Sequence, residues 1–175
     1  MKKMGITLFL LAIISLTIIS GVNYLDSAEY LRIHIRANSN SEIDQSVKYE
    51  IKTQVVDFLT PYIANCNTKN EAISVLNDNL DKIESVCNKV LKDSGFSYKS
   101  NASIKTEMFP TRVYEDFTLN SGFYDALIVN LGEAKGDNWW CVVYPPLCFT
   151  KGNKSVKYKS KILEIIDNFK NNKGE

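Results

Sequence analysis

The apolar residues of this chain change their spacing twice, and that change sets the fold class. Leu31, Ile33, Ile35 and Ala37 alternate with Arg32, His34 and Arg36, a period of two that fits a strand with one buried and one solvated face. From Ile43 to Leu91 the apolar positions recur every three to four residues, as amphipathic helices require. After Ser103 the period returns to two. Neither an all-helical nor an all-strand fold accommodates both periods. The order strand, two helices, strand meander, C-terminal helix predicts an α+β domain with a mostly antiparallel sheet and helices packed on one face.

Local signals place the elements. Ser39 with Glu42 reads as a capping box opening a helix whose stripe is Ile43, Val47, Ile51, Val55 and Phe58 or Leu59, ending at Thr60-Pro61. Thr68 with Glu71 opens a second, longer helix carrying Ala72 or Ile73, Leu76, Leu80, Ile83, Cys87 and Val90 or Leu91, with Gly95 as its stop. A strand over Ile104–Met108 is followed by one from Arg112 to Leu119 and a tight turn at Asn120-Ser121-Gly122. The unbroken run Ala126–Val129 suits a central strand covered on both faces. Gly132–Asn138 reads as a hairpin turn before a last strand, Trp139–Tyr144, stopped by Pro145-Pro146 because proline lacks the ladder N–H. In the tail, Tyr158, Ile162, Ile165 or Ile166 and Phe169 share a helix face.

The formal charge of +1 hides three unlike pieces. Lys2 and Lys3 precede an uncharged apolar run, Met4 to Val22, whose 19 residues reach the lower end of a membrane span and exceed an ordinary signal core. Segment 1–22 is therefore a signal peptide or an N-terminal membrane anchor, and both readings stand because no cleavage motif is strong. With basic residues before the run and Asp26 and Glu29 after it, the remainder lies outside the cytoplasm. A linker, 23–30, leads to a domain at 31–150. Residues 23–150 hold 12 basic and 17 acidic side chains, and the basic C-terminal helix segment, 151–175, holds seven lysines against Glu164, Asp167 and Glu175. Near-neutrality excludes a strongly basic nucleic-acid binder, and 45% apolar content excludes a disordered chain.

The motif search finds no recognised catalytic machinery. HExxH, Walker and G-x-S-x-G patterns are missing from the sequence. With a single histidine and no C-x₂₋₄-C knuckle, no metal set is indicated, and nothing calls for a cofactor. His34 reads as a solvated strand residue between two arginines rather than a base. The four cysteines fall on the exported side, where disulfides are permitted. A turn at Pro145-Pro146 brings Cys141 and Cys148 within bridging reach, so a disulfide and two buried thiols both fit, while Cys87 reads as a small core residue. Trp139 and Trp140 are adjacent on a strand and point to opposite faces. With Tyr144, Pro145 and Pro146 they form a candidate preorganised partner-binding surface, aromatic anchors beside a rigid turn.

Three stretches carry a resemblance: Leu31–Ser41 with Asp44-Gln45, then Phe109-Pro110-Thr111, then Gly132–Phe149 with Asn-Trp-Trp-Cys and Tyr-Pro-Pro-Leu-Cys-Phe. Together, with Asn38, Ser39, Asp44, Gln45, Pro110, Cys141 and Cys148 as the motif positions, they resemble the stage II sporulation protein R family of spore-forming Gram-positive bacteria. The resemblance implies a non-enzymatic signalling protein, made in the forespore and exported across its membrane into the intermembrane space, secreted or held by the N-terminal segment. Its implied partner is the membrane-embedded aspartic-type protease that processes pro-sigma-E in the mother cell. The competing reading is an exported cell-wall or substrate-modifying enzyme with an unrecognised site.

Overall fold

The computed structural model describes residues 29–114, 117–149 and 156–172, together with 9, 11 and 13. The leader and most of the linker, residues 1–22 and 23–30, thus fall largely outside the described residues. Among those described, no helix is long and apolar enough to cross a membrane. The chain divides into two compact units, Met1–Glu29 with Glu107–Tyr124, and Tyr30–Thr106 with Asp125–Glu175.

The larger unit is α+β. Its sheet has the order β2-β5-β1-β6, built from β1 (Leu31–Arg36), β2 (Ser100–Phe109), β5 (Gly122–Leu131) and β6 (Asn138–Tyr144). The sheet is mixed and mostly antiparallel: β1 pairs in parallel with β5, Ile33 opposite Leu127, and antiparallel with β6, Ile33 opposite Cys141. Leu31, Ile33 and Ile35 of β1 and Leu127, Val129 and Leu131 of β5 alternate onto one face, where they join a single core with the helices. Those helices are α1 (Glu42–Ile63), α2 (Lys69–Asn77), α3 (Leu80–Asp93) and α4 (Val156–Asn172). Val47, Ile51, Val55 and Leu59 of α1, Ala72 and Leu76 of α2, and Ile83, Cys87 and Leu91 of α3 supply its middle. Ile162, Ile165 and Ile166 of α4 enter the same core, so the basic tail packs as part of this unit.

Several expectations change. The polar side of β1 is buried, not solvated: Arg32 is 0% and His34 5% exposed. β1 is an interior strand, and the Trp140 ring of neighbouring β6 lies 5.2 Å from the His34 ring. α1 is capped by Ser41 rather than Ser39, and it runs through Pro61 to Ile63. A proline in the last turn removes one ladder bond there, and burial of Ile63 and Ala64 offsets it. The expected long second helix breaks at Asp78-Asn79, where the Asn79 amide donates to the Val75 carbonyl at 2.8 Å and competes with the backbone ladder. Its start is as read: the Thr68 hydroxyl accepts from the Glu71 N–H. Its end is a Schellman turn, with Phe96 N–H bonded to Leu91 O and Gly95, at φ +81°, to Lys92 O.

In the smaller unit the strand expected over 112–119 is two short strands, β3 (Arg112–Tyr114) and β4 (Phe117–Leu119), paired antiparallel with Val113 opposite Thr118.

Candidate functional site

Two features of the larger unit gather the motif residues, and the first begins where β1 ends. Because β1 lies between β5 and β6, the loop 132–137 does not close a hairpin, as its glycines suggested. It steps across the end of β1. Gly136 N–H donates to Ala37 O at 2.9 Å and Lys135 N–H to Asn38 O at 3.2 Å, while Glu133 N–H reaches Asn38 Oδ1 at 2.9 Å. A Cβ at Gly136 would lie 2.1 Å from Ser39 O, so the crossing admits no side chain there.

Asp44, on the first turn of α1, holds this crossing from below. Its Oδ2 accepts from Ser39 Oγ at 2.5 Å and Asn38 Nδ2 at 3.0 Å, and its Oδ1 accepts from Tyr98 Oη at 2.6 Å. Burial, at 5% exposure, works to raise the carboxyl's pKa, but the bonds from Ser39, Tyr98, Asn38 and Ser41 outweigh it and hold the group below its ordinary value. Burial and the Asp44 carboxylate push the Tyr98 hydroxyl up. Gln45 donates to Ser39 O at 2.9 Å and accepts from Lys48 Nζ at 2.6 Å; Lys48 also donates to Asp137 O at 3.0 Å. Lys48 is 1% exposed, and burial lowers its pKa against the opposing pull of Asp137. Asn38, Ser39, Asp44 and Gln45 thus form one clasp, closed by Tyr98 and the Asp137 carbonyl from far along the chain. A carboxylate with all these donors already seated on it is suited to holding a loop, not to taking a proton from a substrate.

Sequence reasoning missed Lys48, Tyr98 and Asp137 as members of this clasp. The signal for Lys48 was present: it stands one helical turn after Asp44, on the same face, where a lysine on a core-facing position calls for a partner.

The second feature is β6 and the chain that follows. Cys141 and Cys148 are joined by a disulfide with Cα atoms 6.2 Å apart, and Cys148 Sγ accepts the Val142 N–H. The Tyr144-Pro145 bond is cis. A short 3₁₀ turn, Leu147–Phe149, buries Phe149 in the core. Tyr144, Pro145 and Pro146 are buried, which corrects their place in an exposed surface. Tyr144 instead donates to Asn67 O at 2.5 Å and meets the Phe169 ring edge-on at 6.4 Å. Trp139 and Trp140 are half-buried on opposite faces of the edge strand. Trp139 packs against the core with Lys52 Nζ 5.8 Å above its ring, and Trp140 lies beside His34. Pro110 belongs to the smaller unit, exposed between β2 and β3.

The remaining cysteines, Cys66 and Cys87, are buried free thiols pushed up to about 11 and about 12, by burial first, with Glu71 and Glu84 adding to the shift. Among the described residues no three His, Cys, Asp or Glu side chains gather as a metal site.

These motif residues fall inside a region recognised in other proteins. A model of the family described as stage II sporulation protein R matches residues 27–154. Stage II sporulation protein R of Bacillus subtilis (strain 168) is 32% identical over 119 residues, covering 68% of this chain and 53% of that protein. The matched part is therefore about half the relative's length. No solved structure matches. The sequence match spans β1, the clasp and the Trp-Cys segment, and the chain belongs to the stage II sporulation protein R family.

Proposed function

We propose that this protein is an exported signal of endospore formation that activates the membrane-embedded aspartic-type protease processing pro-sigma-E. The observation that carries the reading is the family match over residues 27–154, which gives a sporulation role. The geometry supports a ligand rather than a catalyst. The carboxylate, amides and lysine of the clasp are occupied with one another, while two half-exposed tryptophans sit on an edge strand whose position the clasp and the Cys141–Cys148 bridge fix from both ends. Such rigid aromatic anchors lose little freedom on binding. The proposed contact is Trp139 and Trp140. Tyr144, Pro145 and Pro146 support it from beneath, and Pro110 takes no part.

Activation follows if the domain binds the active form of the protease better than the inactive form. Converting a 1:99 population to 99:1 takes roughly 5.5 kcal/mol of differential binding. Two aromatic hot spots of about 2 kcal/mol or more each supply most of that. The test is co-expression of protease, pro-sigma-E and this protein in a non-sporulating host. Cleavage is expected with the native chain and strongly reduced with Trp140→Ser or Trp139→Ser variants that still fold. Undiminished cleavage with both variants would remove the tryptophans from the interface. Cleavage without the protein would remove the function.

A further inference from the structure

β2, one continuous strand from Ser100 to Phe109, is an edge of its sheet, and half of that edge is closed. Gly132 N–H donates to Lys99 O at 3.0 Å, and in the same register the Thr106 hydroxyl donates to Asp125 Oδ1 at 2.7 Å. No bulge intervenes between the two, so the even-numbered residues of β2 turn their N–H and C=O away from β5. α3 has taken two of those outward donors: Ser100 N–H reaches Asn88 Oδ1 at 2.7 Å and Ala102 N–H reaches Glu84 Oε1 at 2.6 Å. The next outward groups belong to Ile104, Thr106 and Met108, and among the described residues no hydrogen bond reaches them. Pro110 follows the strand and has no N–H to offer. An edge left open in this way is a template for another strand.

The open stretch, Ile104-Lys105-Thr106-Glu107-Met108, is its own complement. Set antiparallel to a second copy about a twofold axis at Thr106, Ile104 faces Met108, Lys105 faces Glu107 and Thr106 faces Thr106. Apolar meets apolar, cation meets anion, and Thr–Thr pairs are favoured across neighbouring strands. Moving the axis by one residue would set Lys105 against Lys105 or Glu107 against Glu107. The same axis places Ala102, whose N–H Glu84 holds, against Pro110, so the pairing ends at the same point in both copies. Lys105 and Thr106 are exposed, and Met108 is 59% exposed.

We propose that β2 is a self-association edge, through which two copies of this chain join at Ile104–Met108 into one continuous antiparallel sheet with twofold symmetry. Ile104, Thr106 and Met108 exchange backbone hydrogen bonds across the axis, and Lys105 pairs with Glu107 of the other copy on the opposite face. The proposal does not depend on protease activation.

The test uses the full chain in mild detergent, with single cysteines introduced on β2. Cys66 and Cys87 are buried and Cys141 and Cys148 paired, so the new thiol is the one that oxidises. Across the axis the two Cα atoms of residue 106 would lie about 5.5 Å apart, inside the roughly 4.4–6.8 Å that a disulfide spans. Thr106→Cys is therefore expected to give a covalent dimer under mild oxidant. Lys105→Cys alone is not, because the two copies of residue 105 lie diagonally, about 7–8 Å apart, whereas Lys105→Cys mixed with Glu107→Cys is. In sedimentation equilibrium, Glu107→Lys sets like charges together twice and should weaken the dimer about tenfold or more; adding Lys105→Glu to it should restore the dimer. A chain that sediments as a monomer overturns the proposal and leaves the edge to a strand of another protein. A dimer in which residue 106 fails to cross-link, or cross-links no better than residue 105 alone, also overturns it, as does a charge-swapped chain no tighter than Glu107→Lys.

Discussion

Changing Asp44 to Asn preserves the side chain's shape and removes the charge on which the clasp converges. Three side-chain donors, Ser39, Asn38 and Tyr98, reach the carboxylate at 2.5, 3.0 and 2.6 Å. A hydrogen bond to a charged acceptor contributes about 1.5–3 kcal/mol and a neutral one about 0.5–1.5, so each of the three loses about 1 kcal/mol. Ser39, Asn38 and Tyr98 are only half-buried, and water can partly replace the lost acceptor. The expected cost is therefore about 2–3 kcal/mol, or roughly 4–12 °C in Tm for a domain of this size. Urea unfolding followed by the fluorescence of Trp139 and Trp140 measures it. The carboxyl's folded pKa lies below its ordinary value of 3.8, so its contribution is complete above 3.8 and lost as pH falls through the lower folded value. Asparagine does not titrate, and the gap between native and variant should close in strong acid. A variant equal to the native chain at pH 7, or a gap that does not narrow as the pH falls below 3.8, would refute the clasp as a charge-centred device.

The crossing loop gives a sharper steric prediction. Gly136→Ala places a Cβ against the Ser39 carbonyl and should cost about 1–3 kcal/mol in the same unfolding assay. Gly95→Ala meets nothing within 4 Å and should cost only about 1–2 kcal/mol, the strain of a left-handed backbone. Ile33→Ala, at the centre of the core, should cost about 2–5 kcal/mol. Cys66 and Cys87 should resist maleimide in the native protein at pH 8, because their thiols are buried and pushed up to about 11 and about 12; mass spectrometry should show two labels after unfolding and four after unfolding with reduction.

The elements with strong local signals were legible in the sequence. The period-two run of β1, the Thr68 cap and the Gly95 stop all fall where the residues put them, because each is decided within a few positions. The sheet order was not legible. Nothing local to Gly132–Asp137 says that β1 lies between β5 and β6, and a glycine-spaced loop between two strands looks like a hairpin until that order is known. The same ordering explains His34 and Arg32: an alternating strand looks half-solvated, and only its interior place in the sheet shows otherwise. For the site, the letters Asn38, Ser39, Asp44 and Gln45 were singled out, but their joint task depends on Tyr98, 54 positions from Asp44, and on the Asp137 carbonyl, 89 positions from Lys48. The Trp-Cys segment was found by its composition. Its division into half-exposed tryptophans and a buried Tyr-Pro-Pro came from the packing of α4 and the 3₁₀ turn, which no spacing rule supplies.

Signalling to the protease is tested most directly by adding the purified native chain to the outer face of vesicles that hold the protease and its pro-sigma-E substrate. Cleavage is expected to rise with added protein, to saturate, and to be weakened by Trp139→Ser and Trp140→Ser. Cleavage that proceeds equally without the protein, or that no concentration of it elicits, would rule out a signalling role at the protease.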